Sequence, residues 1–486
     1  MTRDEIKAIY HAGEDTVIDF VEQLLRLMQQ QQSQIDSLTA RVKELEARLS
    51  QNSRNSSKPP SSDSFGKQTR SLRKARGRKR GGQKGHPPAL LKQVEKPDET
   101  VVHQPESCEA CRRSLAEVTA FAIEHQRRQV FDLPPLKLFV TEHRVGCKQC
   151  PCCLHKTVGE FPLDVPVGAS YGSGVKALAL FLHKEQLLPT RRTCQIFEAL
   201  FSSAISEGTL QAAVESCSAE LKEVEELIKE ALSQASQANF DETGFYVESK
   251  RSWLHVAATE SLTHYGVNQK RGSVAMTEIG ILPVFRGTAT HDGLSAYMKY
   301  ACVHSLCNAH HLRELTFLHE EMNREWAASM KEFLVKVKEQ VDKAKAAGRS
   351  SLNKRTAHLY AKTYDQILRR GRRRERLEPE LARGSRGRPK QSKAKNLLDR
   401  LQKYKKETLK FMNEFAVPFD NNLAERDLRM MKVQQKISGC FRTRQGAEDF
   451  CRIKTYLSTM KKQGHNLLQA LKSVFDGDIL LPVLTG

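Results

Sequence analysis

From Val21 to Leu49 apolar residues recur with a heptad period, with Val21, Met28, Ile35, Val42 and Leu49 at one position and Leu24, Gln31, Leu38 and Leu45 at the other. Such a seam predicts a coiled coil, and an amphipathic helix packed on its own domain is the alternative. The pattern stops in QNSRNSSKPPSSDSF, residues 51–65, which is too polar to bury a core and reads as a linker. Further on, VFDLPPLKLFVTEHRV (residues 130–145) alternates around a double proline and predicts two strands leading into Cys147. From Ser170 to Ser236 the period is helical. Within it the stretch from Arg192 to Cys217 resembles a helix-turn-helix, with Ser206 capping a helix that runs through Gly208 and Leu210, and two ordinary packed helices fit the same pattern. After Asn239 the texture changes to strands: Phe240, Phe245 to Val247, a turn over Glu248 to Ser252, then Trp253 to Ala258 and Thr263 to Val267. Residues 312–416 return to a helical, Lys-rich pattern.

A chain of 486 residues exceeds one ordinary core, so several folded units are expected. Its formal charge of +21 points to a polyanionic partner. No apolar run approaches the roughly 18 residues of a spanning helix, and the N-terminus lacks a signal-peptide pattern, so a cytoplasmic protein without membrane contact is expected. The positive charge is concentrated. KQTRSLRKARGRKRGGQKGH, residues 67–86, holds nine Lys or Arg and no acid. Arg76, Arg78, Lys79, Arg80 and Lys84 are its candidate DNA contacts, because Gly-spaced arginines can follow a minor groove and release counterions. A second basic stretch, residues 369–395, contains a hook-like Arg386-Gly387-Arg388-Pro389-Lys390, for which Arg386, Arg388 and Lys390 are candidates, and a disordered basic loop is the alternative.

Six of the twelve cysteines fall between Cys108 and Cys153. In an intracellular chain such clustering points to metal rather than to disulfides. Cys108-x-x-Cys111 and Cys147-x-x-Cys150 together supply the four thiolates of a closed structural Zn²⁺ site, although Cys152 and Cys153 leave the second register open.

Phosphodiester cleavage without a covalent enzyme intermediate calls for carboxylates that hold two divalent ions around the scissile phosphate. Asp241 lies in a strand before an apolar run, where an unpaired charge is costly unless it meets a cation. Glu242, its neighbour, should point to the opposite face. Asp292 follows a short β-prone run and precedes Gly293, and an Asp-Gly turn is its plainer reading. Glu425 opens a helix, where Asn422-x-x-Glu425 fits a capping box. Helical spacing also puts Glu425, Arg429 and Lys432 on a face opposite Ala424, Leu428 and Met431, an acid for metal beside two bases for phosphate.

These stretches together resemble the insertion sequence 66 family of bacterial transposases, of the DDE type. The likeness is carried by SSKPPSSD, GRKRGGQKGH, the paired cysteines, QLLPTRRTCQIFEALFSSAISEGTL, FDETG, HDGLSAY, CNAHHLREL and FDNNLAERDLR, in that order along nearly the whole chain. The resemblance implies a ribonuclease-H-like catalytic core with its acidic triad on Asp241, Asp292 and Glu425 and a helical insertion between the last two. The expected architecture is therefore a multidomain α+β protein. It runs as a coiled coil (1–50), a linker and basic DNA-binding segment (51–95), a zinc-binding β unit (96–165), a helical and helix-turn-helix-like domain (166–236), the first part of the core (237–312), the helical insertion (313–416), the second part of the core (417–460) and a C-terminal helical element (461–486).

The expected reaction is hydrolysis at transposon ends to free 3′-hydroxyls and their in-line attack on target DNA, with two Mg²⁺ ions, replaceable by Mn²⁺, as catalytic cofactors and Zn²⁺ as a structural one. Transesterification needs no external energy, which fits the lack of a GxxxxGK[ST] phosphate loop. Expected partners are double-stranded DNA at transposon ends and target, further copies of the chain, and accessory proteins of the same element, in a nucleoid-associated setting. A non-enzymatic zinc-containing DNA-binding regulator accounts for residues 1–235 equally well but leaves the later acids unused. A nuclease of the same fold that cuts without joining is the third reading.

Overall fold

The computed structural model describes residues 2–52, 55–56, 91–103, 105–118, 127–162, 165–376 and 391–484. Two helices open it, α1 (Arg3–His11) and α2 (Glu14–Leu49). The seam of α2 is uncovered, with Met28 58%, Ile35 56% and Leu38 66% exposed. Two contact units follow from the chain's own packing. The smaller one takes in residues 71–165 and 197–204, and the larger one the rest. In the smaller unit the only strands among the described residues are β1 (Cys147–Gln149) and β2 (Lys156–Val158), paired antiparallel. The two strands expected over residues 130–145 do not form, and Val130, Phe139 and Val140 are exposed. Pro134 and Pro135 remove two backbone donors in the middle of the run, so alternation alone has no ladder to join.

In the larger unit, α3 (Ser173–Leu180) passes into a π-helical turn over Phe181–Glu185, and α4 (Thr190–Phe201), of which residues 190–196 belong to this unit, α5 (Glu207–Glu220) and α6 (Lys222–Gln234) follow. Ser206 caps α5 as its sequence implies, its Oγ accepting the backbone N–H of Thr209 at 3.0 Å. A mixed sheet comes next, built from β3 (Gln237–Val247), β4 (Lys250–Ala258), β5 (Thr263–Asn268), β6 (Thr288–His291) and β7 (Val303–Leu306) in the order β5-β4-β3-β6-β7, with α7 (Ser273–Ile279) and α8 (Ile281–Val284) between β5 and β6. The β3–β4 and β4–β5 pairs are antiparallel, and the β3–β6 and β6–β7 pairs are parallel. The turn expected over five residues takes only Glu248 and Ser249, both at positive φ (51° and 62°), which matches the right-handed twist of a tight hairpin and lets β4 begin at Lys250.

The helices α9 (Asn308–Glu320), α10 (Glu325–Ala346), α11 (Lys354–Arg376), α12 (Lys393–Lys403), α13 (Lys405–Thr408) and α14 (Lys410–Asn413) enclose a core of their own, in which Trp326, Leu334, Tyr364 and Leu398 are buried. The second basic stretch is therefore partly helical. Residues 369–376 finish α11, where Arg372 pairs with Asp399 at 3.1 Å. The chain then returns to the sheet with α15 (Asn422–Ser438), α16 (Arg444–Lys462) and α17 (Leu467–Asp476). Ala424, Leu428 and Met431 of α15 pack with Phe245, Val247, Leu254 and Val256 of the hairpin and with Phe450 of α16 in one apolar cluster. At the outer edge of the sheet Thr459 and Thr455 of α16 accept the backbone N–H groups of Thr263 and Tyr265 at 3.1 and 3.0 Å, so the free edge of β5 is covered rather than open to pairing. The molecule is thus α+β, with helices and a mixed sheet in separate layers.

Gly287, just before β6, sits so close to the end of α6 that a Cβ there would lie 2.3 Å from the carbonyl oxygen of Ala235 and 2.6 Å from that of Ser236. Backbone atoms cannot rotate away. Gly287→Ala should lower unfolding stability by about 1–3 kcal/mol, the cost of overpacking, in a urea or thermal melt.

Candidate active site

On β3, Phe240, Glu242 and Gly244 share one face, and Asp241, Thr243 and Phe245 share the other, which is the face that α15 covers. β6 pairs with β3 only from Gln237 to Asn239. Past that point the same edge of β3 is served by side chains, Asn421 Nδ2 donating to the Phe240 oxygen at 2.8 Å and Lys432 Nζ to the Gly244 oxygen at 2.7 Å. Asp241 lies where this ladder gives out. Its carboxyl is held well above the usual carboxylate range, first by burial, then by the negative charges of Glu242, Asp292 and Glu425, and only the Glu242 N–H, 2.8 Å from Oδ1, favours the anion.

Asp292 directly follows β6. Its Oδ1 accepts the Leu294 N–H at 2.9 Å, an Asx turn that Gly293 completes at φ +91°. The same turn is braced from the preceding residue. His291 is fully buried, and its pKa is lowered to about 3 by that burial and by His304, so the ring is neutral. Because its Nδ1 faces the Gly293 N–H at 3.1 Å it must be the acceptor, which leaves Nε2 to donate to His304 Nδ1 at 3.1 Å. Tyr297 stacks on His291 with ring centres 4.5 Å apart.

Glu425 lies in the first turn of α15, but no capping box forms there. The N-cap is Asn421, whose side chain is committed elsewhere. Its Nδ2 reaches Phe240, its Oδ1 accepts from Asn239 Nδ2 at 2.8 Å, and its N–H points at Cys307 Sγ at 3.1 Å. Glu425 instead turns toward α9, with Oε1 3.3 Å from His310 Nε2 and Oε2 3.7 Å from Arg313. The nearby His310 ring is the main reason its pKa is lowered, with Arg313 and Arg429 adding to it against the opposing effect of burial. Cys307 Sγ, a His310 ring nitrogen and a Glu425 oxygen lie within 4.8 Å of one another, the one such group of three donors among the described residues. Asp241 and Asp292 are outside that group.

The neighbours of the acids have other partners. Glu242 points away from Asp241's face, yet it is no spectator. It is buried, its Oε1 taking Arg271 at 2.8–2.9 Å and its Oε2 the Tyr297 hydroxyl at 2.6 Å, and burial together with Asp292 raises its pKa. Asp427 pairs with Lys462 at 2.8 Å and accepts from Thr263 at 3.1 Å. Arg429 is exposed beside Glu425. Arg251 and Arg271 both lie over the Trp253 ring, 4.7 and 4.9 Å from its centre. Sequence reading did not single out Glu242 with Arg271 and Tyr297, nor His310, Arg313 and Asn421 as site residues. The signal for them was the density of polar residues in HDGLSAY, CNAHHLREL and FDNNLAE where ordinary helix starts need only one cap.

In the cysteine region two turns are built alike. Cys108 N–H donates to the Arg113 oxygen and Arg112 N–H to the Cys108 oxygen, with Arg112 at φ 59°. Cys150 N–H donates to the His155 oxygen and Leu154 N–H to the Cys150 oxygen, with Leu154 at φ 63°. In the first, N–H groups of Cys111 and Ala110 and the Cys111 thiol lower the Cys108 pKa, and in the second Cys153 and Cys152 do the same for Cys150. The second knuckle is therefore Cys150-x-x-Cys153, whereas Cys147 begins β1 and pairs with Val158. Cys147 thus stands before the second knuckle, at the start of a strand. The two knuckles do not bring their sulfurs into one group of metal donors. Arg76, Arg78, Lys79, Arg80, Lys84, Arg386, Arg388 and Lys390 lie outside the described residues.

Two family models match the chain. The transposase IS66 family matches residues 168–449, more than half of the chain and all of the elements that carry the three acids. A family of unknown function (DUF6444) matches residues 12–92. No curated protein matches.

The raised pKa of Asp241 fixes the sign of a pH effect. A carboxyl that binds its proton more tightly in the folded than in the unfolded chain contributes stability at low pH that is lost as pH rises through the raised value. In metal-free protein, Asp241→Asn should accordingly raise the melting temperature above the wild type, with the gap widening as pH rises above the ordinary Asp range. Melting curves over a pH series in EDTA check this, and a variant that melts below wild type at neutral pH contradicts it.

Proposed function

The chain belongs to the transposase IS66 family, and on that premise we propose that it cuts and joins DNA at a ribonuclease-H-like core in which Asp241, Asp292 and Glu425 are the catalytic carboxylates. The observation that carries the reading is electrostatic. Asp241 is half-buried among acidic neighbours and has no Lys or Arg paired to it among the described residues, an arrangement that a divalent ion would relieve. Carboxylate donors on a strand, at a strand end and on a helix fit hard, oxygen-seeking ions such as Mg²⁺, with Mn²⁺ as a substitute. Two such ions supply activation of the attacking hydroxyl or water and stabilisation of the leaving oxygen.

The chain's own residues do the rest. The Asx turn and the His291–Tyr297 stack hold Asp292 in place, and Asn421 fixes the start of α15 against β3 so that Glu425 keeps its station. Arg429 and Lys432, on the exposed side of α15, and Arg251 and Arg271 around Trp253 offer positive charge to the phosphates on either side of the reacting one. The uncovered seam of α2 supports self-association as a coiled coil, and the basic segment after it supports DNA binding. Double-stranded transposon ends and target DNA are the substrates in this reading. No helix among the described residues is long and apolar enough to cross a membrane. Cys108, Cys111, Cys150 and Cys153 are the structural Zn²⁺ ligands in the same reading.

Changing any one of Asp241, Asp292 or Glu425 to its amide should reduce strand cleavage and strand transfer on end-sequence DNA by on the order of 10³-fold or more while DNA binding survives. Asp427→Asn, whose carboxylate serves Lys462 and Thr263, should keep cleavage. Intact cleavage in any of the three amide variants refutes the triad. For zinc, metal analysis of purified protein should find the ion lost with Cys150→Ser or Cys153→Ser and retained with Cys147→Ser, and the reverse pattern refutes the knuckle register.

A further inference from the structure

We propose that Cys307, His310 and Glu425 form a second kind of metal site, one for a soft divalent transition metal, Zn²⁺ by its chemistry, which competes with the catalytic ions for Glu425. The site itself stands on its own donors, and the competition rests on the reading of Glu425 as a Mg²⁺ ligand.

Three different donor types, a sulfur, an imidazole nitrogen and a carboxylate oxygen, lie within 4.8 Å of one another, with His310 Nε2 and Glu425 Oε1 at 3.3 Å. Cys307 is the N-cap of α9 and His310 stands in its first turn, so Cys-x-x-His spacing puts thiol and ring on the same side of the helix start. The donors are held in advance. Cys307 is 1% exposed and its sulfur receives the Asn421 N–H, the kind of outer contact that orients a metal-bound thiolate. Asn308 N–H donates to the Phe419 oxygen at 3.0 Å and Asn308 Nδ2 to the Thr408 oxygen at 3.0 Å, which locks the turn between Cys307 and His310.

Charge balances as well. One thiolate, one carboxylate and a neutral imidazole leave a divalent ion without net charge. Three protein ligands leave a tetrahedral ion one open position, and the side chains of His310 and Glu425, 20% and 17% exposed, leave that position within reach of water. A thiolate in the set selects Zn²⁺ over Mg²⁺, which takes oxygen donors. Occupancy therefore draws Glu425 toward α9 and away from Asp241 and Asp292.

The test uses the full-length protein with zinc on its knuckle cysteines, titrated with Co²⁺ alone. One further Co²⁺ per chain should bind with the visible absorption of a tetrahedral ion and a thiolate-to-cobalt charge-transfer band. Cys307→Ser should abolish that band and His310→Ala should weaken binding by at least about 10–100-fold, the loss that removal of even an outer-shell partner produces. Because Cys307 is buried and its substitution disturbs packing, Glu425→Gln and His310→Ala, at half-buried positions, give an independent reading of the same loss. A band unchanged in all three variants places the cobalt on other cysteines and overturns the site. Asp427→Asn, whose carboxylate serves Lys462 and Thr263, should leave the charge-transfer band unaltered. Separately, micromolar Zn²⁺ should inhibit Mg²⁺-dependent cleavage. Cobalt binding as expected without zinc inhibition upholds the site and overturns the role of Glu425 as a catalytic ligand.

Discussion

Asn421 is the point on which the arrangement of the acids depends. It is 1% exposed, and through side chain and backbone it ties together β3 at Phe240 and Asn239, the end of β7 at Cys307 and the start of α15. Glu425 comes one turn later on α15. More than a hundred residues separate it from Asp292, and chain entropy would oppose any fixed relation between them. That opposition is met in two ways. The intervening helices bury a core of their own, so they fold as a body rather than as a long loop. Buried amide hydrogen bonds then fasten the returning chain at a defined register, and losing one leaves partners on three elements unsatisfied.

The second constraint is like charge. Glu242, Asp292 and Glu425 lie close enough to Asp241 to raise its pKa, and Asp292 raises that of Glu242. Two of them are compensated within the chain, Glu242 by Arg271 and Tyr297, and Glu425 by His310 and Arg313. Asp241 is not, and Asp292 is held by a backbone N–H. Compensation has thus been given to the residue behind the site and to the helix acid, and withheld from the strand acid, which is where a divalent ion gains most. The soft-donor group around Glu425 follows from the same geometry, since the helix acid sits between an oxygen-rich side and the sulfur and nitrogen of α9.

Much of this was legible along the chain. Ala424, Leu428 and Met431 at helical spacing give the buried side of α15, Ser206 gives a cap, and period-two alternation puts Asp241 and Glu242 on opposite faces of β3. These are local rules, and local rules suffice where neighbours in sequence are neighbours in space. Residues 130–145 misled because alternation says which side a residue faces only once a strand has a partner to pair with. The second cysteine pair was left open for a related reason: Cys147-x-x-Cys150 and Cys150-x-x-Cys153 have the same spacing, and only the turn's backbone bonds, with Leu154 at positive φ, set Cys150 and Cys153 apart as a match to the first turn. The bracing of the site by Asn421, Tyr297 and His310 was out of reach because each acts on a residue from 55 to 181 positions away.

The central claim is that Asp241, Asp292 and Glu425 jointly hold the catalytic ions. Anomalous scattering from Mn²⁺ in a crystal of the protein with its end DNA tests it most directly. Two manganese peaks about 3.5–4 Å apart, both within coordination reach of the carboxylates of Asp241, Asp292 and Glu425, are the expected result. Manganese bound elsewhere, with Asp241 left unliganded among its acidic neighbours, would contradict it.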